Sequence, residues 1–153
     1  MGIAGKGPEN ALTPGLLPAV AQVLGPDAQV AGVGFLVAES ILVTCAHVVH
    51  AAGSGPGGTV QLVFPRVDGA LRTEGLVLDE PWRAPEDEDV AIVRLSGSSA
   101  GLKALALGSA AGCRGHQVRS FGFPAQAPAG GTSASVWPAI CCQPPRAGVL
   151  IFS

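Results

Sequence analysis

Gly32-Val33-Gly34-Phe35-Leu36-Val37, then Ala38-Glu39-Ser40, then Ile41-Leu42-Val43-Thr44-Cys45-Ala46-His47-Val48-Val49 is the stretch on which the fold turns. Two β-branched runs, 29–37 and 41–49, are separated by three residues of turn character, which predicts a β-hairpin. Upstream, the apolar stretch 16–24 reads as a first strand or a helical turn, closed by Gly25-Pro26-Asp27. Downstream, 51–58 is a Gly/Ser/Pro loop, and 59–64, 71–78 and 90–95 read as strands. An acidic loop spans 81–88, and a linker at 96–101 leads to short runs at 104–107 and 117–121. The run at 117–121, before Gly122-Phe123-Pro124, is the last credible strand, and no internal repeat is present. Six or seven short strands at this spacing predict a barrel or sandwich.

Composition agrees. With 153 residues, 48% of them hydrophobic and 13% charged, the chain suits one domain with a real core. Its 22 glycines and 13 prolines disfavour long helices and favour strands joined by turns, so the expected class is all-β. A net charge of −2 without clustered cations argues against a nucleic-acid partner. The charge is unevenly spread: all eleven carboxylates lie at or before Asp89, against four cations, and five cations with no carboxylate side chain follow.

The long uncharged stretches 40–65 and 120–145 are broken by Gly and Pro, so neither is expected to span a bilayer. No secretory signal is visible at the start, and the default compartment is the cytoplasm. Cys45, Cys113, Cys141 and Cys142 do not make a disulfide framework and are read as thiols.

Two residues invite chemistry. His47 ends a strand behind small residues, and Asp89 heads the apolar run Val90-Ala91-Ile92-Val93. Each alone has a bland reading, the one as a packed or edge histidine, the other as an acid that keeps a buried strand's end in water. Together they would make a base whose second ring nitrogen is held by a carboxylate, as nucleophilic catalysis requires.

These segments together resemble the trypsin-like serine peptidases, with the nearer likeness to the bacterial HtrA-type branch. The likeness rests on the Gly32–Val37 and Ile41–Val49 segments, on Asp89-Val90-Ala91-Ile92-Val93, on Ala104-Leu105-Ala106-Leu107-Gly108, and on the segment 115–124 ending Gly122-Phe123-Pro124. It covers about 16–131. It implies a chymotrypsin-like double β-barrel, its first barrel complete and its second incomplete, acting on peptide or protein substrates by a Ser-His-Asp mechanism. By the resemblance His47 is the general base and Asp89 its orienting carboxylate. No cofactor or metal is implied.

The departure lies at the nucleophile. The family carries it in a Gly-Asp/Asn-Ser-Gly-Gly turn beyond the Gly-Phe-Pro segment, and no serine of this chain has that setting. Ser133, Ser135 and Ser153 lack the flanking glycines, and Ser54 sits in a loop before Asp89. The expected organisation is a loosely ordered leader at 1–15, a peptidase domain at 16–131 and an atypical tail at 132–153. Two readings of the tail stand: an ordinary divergent end, or a change of reading frame after about Gly131. Back-translated one base upstream, 137–144 can encode Val-Ala-Gly-Asp-Leu-Leu-Pro-Ala, which restores a carboxylate and an apolar pair. The tail is expected to be poorly packed and the chain only marginally stable. The functional expectation is a peptidase domain that is inactive alone, with a non-catalytic binding or regulatory module as the alternative.

Other clusters are weaker. Cys45-x-His47-x-x-His50 resembles a metal motif, but on an extended strand Cys45 and His47 would face one way and His50 the other, with no fourth ligand in sight. His116 reads as a solvated loop residue, Trp82 as a packing lid on the first barrel, and Glu86-Asp87-Glu88 as a solvated face.

Overall fold

The computed structural model describes residues 17–99 and 101–109 in full, and the backbones of three strands, Gln117–Gly122, Ser133–Pro138 and Val149–Phe152. A 3-10 turn at Leu17–Ala19 leads into β1 (Val20–Leu24), so the 16–24 stretch is both a turn and a strand. Then follow β2 (Val30–Ala38), β3 (Ile41–Thr44), the helix α1 (Ala46–Ala51), β4 (Thr59–Phe64), β5 (Leu71–Val77) and β6 (Ala91–Leu95).

These six strands close into an antiparallel barrel in the order β1-β2-β3-β6-β5-β4. Closure leaves no unpaired sheet edge. The alternation of each strand decides what fills the inside: Leu42 and Thr44 of β3, and Ala91, Val93 and Leu95 of β6, are buried, while their neighbours are not. Val23, Leu36, Leu62, Phe64 and Val77 complete the interior. Thr44, polar and buried, donates its hydroxyl to the Val33 carbonyl at 2.8 Å. Gly75 is required by packing, because a Cβ there would sit 2.3 Å from Val93 Cγ1.

Beyond the barrel, Leu105 is buried and donates its N–H to the Leu36 carbonyl at 2.8 Å. Strand β7 begins after it, at Ala106–Ser109, two residues later than the 104–107 run suggested. Strands β8 (Gln117–Gly122), β9 (Ser133–Pro138) and β10 (Val149–Phe152) follow. β8 pairs with β9, and β7 with β10, as two separate two-stranded antiparallel sheets. The architecture is thus nearly all-β, with one complete six-stranded barrel.

Two expectations need correction. The run 41–49 is not one strand: the chain leaves extended conformation after Thr44 and enters α1, which carries His47 and His50. Nor is 117–121 the last strand, since β9 and β10 lie beyond it. Both errors share a cause, because β-branched and small residues are compatible with more than one backbone state and tertiary partners decide between them. The expected leader at 1–15, His116, Cys113, Cys141, Cys142 and Ser153 lie outside the described residues, as do the side chains of the 132–153 tail. Among the described residues, no helix is long and apolar enough to cross a membrane.

Candidate functional site

The site is built where β3 ends and β6 begins. Thr44, the last residue of β3, is paired with Ala91, the first of β6. Because the strands are antiparallel, the residues after Thr44 and those before Ala91 emerge at the same end of the barrel. The chain order therefore brings 45–47 against 89–90, although 42 residues separate His47 from Asp89.

Helix α1 is seated by its apolar face, with Ala46, Val48 and Val49 buried and His47 and His50 exposed. Gly32 makes room for it: a Cβ there would lie 2.5 Å from Val48 Cγ2 and 2.7 Å from Cγ1. The expectation that His50 faces away from His47 fails for the same reason that the strand fails, since residues three apart are neighbours on a helix. The His50 ring instead meets the Trp82 ring, with centroids 5.3 Å apart. Trp82 packs, partly buried, against the core, in keeping with a lid.

The loop that presents Asp89 is a closed turn. Arg83 and Val90 exchange backbone hydrogen bonds of 2.9 and 3.0 Å, and the N–H groups of Asp87 and Asp89 both donate to the Ala84 carbonyl. Asp89 itself has φ of 54°. This left-handed conformation is uncommon for a residue with a side chain, though aspartate tolerates it better than most. It reverses the chain for one residue, so that the carboxylate points back at α1 while Val90 rejoins Arg83.

Cys45, the N-cap residue of α1, makes no side-chain capping bond. Asp89 does that work from across the barrel end. Its Oδ1 accepts the His47 N–H at 2.9 Å, and Ala46 N–H also bonds the carboxylate, so donors that a helix start leaves unpaired are satisfied. Its Oδ2 lies 2.5 Å from His47 Nδ1. Partial burial works to raise the Asp89 pKa, but the His47 backbone and ring bonds, the imidazolium charge and the Ala46 N–H outweigh it and hold the carboxyl below its usual value. An ionised carboxylate can only accept, so Nδ1 is the nitrogen that donates to it, and in the neutral ring Nε2 keeps the lone pair. The His47 side chain is 61% exposed and that of Asp89 28%, so the pair is open to solvent.

Cys45, which the sequence offered only as a thiol and within a weak metal motif with His50, is placed instead beside Asp89. It is half-buried, its thiol bonds the Asp89 carboxylate, and its pKa is pushed up by burial first and then by the Asp89 charge. That keeps it a thiol rather than an activated nucleophile. Its place two residues before His47 was the available signal. Ser133 and Ser135 lie in β9, in register with Gly122 and Ser120, on extended backbone rather than in a glycine-flanked turn. Ser54 lies in the loop before β4, where its Oγ would be 2.5 Å from a Cβ placed on Gly58.

Comparison with curated proteins finds no match. The family model for the trypsin-like peptidase domain matches residues 32–145, well over half of the 153, and takes in both His47 and Asp89. On this match, together with the closed six-stranded barrel, the chain belongs to the trypsin-like peptidase domain family.

Proposed function

We propose that this chain carries the base and carboxylate of a Ser-His-Asp endopeptidase, with His47 as general base and Asp89 as the group that orients it, and that the 153 residues alone do not turn over substrate. The observation that carries the reading is the double grip of one carboxylate on the His47 N–H and on Nδ1. Family membership implies peptide or protein substrates. In such a reaction Nε2 removes the proton of a serine hydroxyl as it attacks the scissile carbonyl. Asp89 keeps the proton on Nδ1 and stabilises the imidazolium, and Nε2 then protonates the leaving amine. No serine of this chain stands in a Gly-Asp/Asn-Ser-Gly-Gly turn, Ser54 between Gly53 and Gly55 lies in the loop before Asp89, and without nucleophile or oxyanion hole a His-Asp pair accelerates little.

The tail reading belongs to the same proposal: the chain is in frame to about Gly131 and out of frame after it. The test is the DNA beyond codon 131. A shifted frame that encodes a Gly-Asp/Asn-Ser-Gly-Gly turn is expected, and the polypeptide expressed in that frame should react with a fluorophosphonate and lose the reaction in His47→Ala. The 153-residue chain should not react. Labelling of that chain, abolished by Ser133→Ala or Ser135→Ala, would overturn the proposal.

A further inference from the structure

The thiol beside the His-Asp pair has no part in that mechanism, yet its sulfur, one ring nitrogen of His47 and one carboxylate oxygen of Asp89 all lie within 4.8 Å of one another. We propose that Cys45, His47 and Asp89 form a zinc site, in which Zn²⁺ takes the Cys45 thiolate, His47 Nδ1 and an Asp89 oxygen and so uncouples the histidine from its carboxylate. The metal site stands on the geometry of these three side chains, whereas its consequence for catalysis rests on the base and carboxylate reading above.

Zinc bonds of about 2.0–2.3 Å in a tetrahedral arrangement put neighbouring ligand atoms roughly 3.3–3.8 Å apart. The Nδ1 to Oδ2 gap of 2.5 Å has to open by about 1 Å, and a sulfur no more than 4.8 Å from a donor atom of each partner has at most about 1–1.5 Å to close. The donor set also selects the ion. One thiolate and one imidazole suit zinc, while magnesium and calcium demand oxygen.

Thiolate and carboxylate together cancel the two positive charges. Binding releases the Cys45 thiol proton to water, shifts the His47 ring proton through solvent from Nδ1 to Nε2 so that Nδ1 can ligate, and moves no electrons. The exposed Glu86, Asp87 and Glu88, on the loop that presents Asp89, add a field that attracts cations. Three protein ligands leave a fourth position for water.

This is not the cluster that the sequence suggested. His50 shares the exposed side of α1 with His47, but its ring is engaged with Trp82, and Asp89 takes the place of third ligand. The site and the His47 to Asp89 hydrogen bond need the same nitrogen, so they are mutually exclusive states of one pair.

Cobalt(II), a spectroscopic stand-in for zinc, tests this directly. The full chain bearing Cys113→Ser, Cys141→Ser and Cys142→Ser is titrated with cobalt, so that Cys45 is its only thiol. A thiolate-to-cobalt charge-transfer band is expected, bleached by Zn²⁺ and untouched by Mg²⁺. It should vanish with Cys45→Ser. Changing even an outer-shell partner weakens metal binding by about 10- to 100-fold, so His47→Ala and Asp89→Asn should each weaken it by on the order of 100-fold or more. His50→Ala should leave it unchanged.

A second readout guards against variants that fold poorly. Zn²⁺ should raise the melting temperature of the Cys45-containing chain, leave that of Cys45→Ser unmoved, and abolish the low-field NMR signal of the His47 Nδ1 proton. A band that survives Cys45→Ser, a His50→Ala loss equal to that of Asp89→Asn, or a Nδ1 signal that persists in the zinc-loaded chain would each overturn the proposal. None of these results depends on peptidase activity, so failure of the metal site and failure of the peptidase reading are told apart by the fluorophosphonate experiment.

Discussion

The barrel and the C-terminal strands are built from similar material to different effect. Each of β1 to β6 has two hydrogen-bonded neighbours, and the side chains between them form one continuous core. Each of β7 to β10 has a single partner strand among the described residues. A closed barrel holds the ends of its strands in fixed relation, so residues just outside two adjacent strands become fixed too. His47 and Asp89 occupy such positions. A two-stranded ladder gives its flanking residues no comparable framework, because an isolated hairpin is marginal in water. The contrast teaches that closure of the barrel fixes the frame in which His47 and Asp89 meet.

The widest difference should appear in amide hydrogen exchange. The N–H groups of β3 and β6 are expected to exchange only through global opening, at a free energy of about 5–15 kcal/mol, and those of β8 and β9 through local opening well below that. Equal protection measured by NMR or mass spectrometry would mean that the ladders belong to the same cooperative unit as the barrel.

Next in size, Phe64→Ala removes a fully buried ring from the barrel interior and should destabilise the chain by about 3–5 kcal/mol. Leu107→Ala, in β7 where the side chain is 54% exposed, should change stability by less than about 0.5 kcal/mol. Denaturant titration of both variants sharpens the comparison, and similar losses would break it.

Gly32→Ala forces Val48 away from β2 and should cost about 1–3 kcal/mol. Because Val48 sits on α1, the change should also disturb the His47 ring resonances. Adding Val48→Ala restores the space, so the double variant should be less destabilised than the sum of the two single ones. Strict additivity would show that the helix is not seated through this contact.

Asp89→Asn keeps the shape but weakens the cap of α1, at about 1 kcal/mol by analogy with other helix caps. Its pH dependence is more telling. The Asp89 carboxyl has a lower pKa folded than unfolded, so the unfolded chain binds more protons in acid. Its contribution is present in full above the ordinary carboxylate value of about 3.9 and is lost as the pH falls through the lower folded value. The variant should therefore show a shallower loss of stability in acid, and an unchanged acid limb would remove the carboxylate from this role.

Around the site the smallest effect is that of Arg83→Ala, which breaks an exposed pair with Glu88, at 3.1 Å, and should cost no more than about 0.2–1 kcal/mol. The backbone bridge from Arg83 to Val90 keeps the loop closed without the side chain, so His47 should remain held by Asp89.

The sequence by itself determined the strands of the barrel, because period-2 alternation and turn residues are local signals that each segment carries whole. Thr59–Phe64 was legible to the residue, and the hairpin around 38–40 nearly so. It also singled out His47 and Asp89, through the resemblance of the segments that carry them to the trypsin-like peptidases. Only the tertiary structure decided that the chain turns helical after Thr44. Val48 and Val49 are good strand residues, and it is the space over Gly32 and the carboxylate of Asp89 at the helix start that favour α1. The pairing of β3 with β6, and with it the meeting of Cys45, His47 and Asp89, was likewise undetermined by any local pattern. Which strand neighbours which depends on closing the sheet through all six at once, and no short window of sequence holds that information.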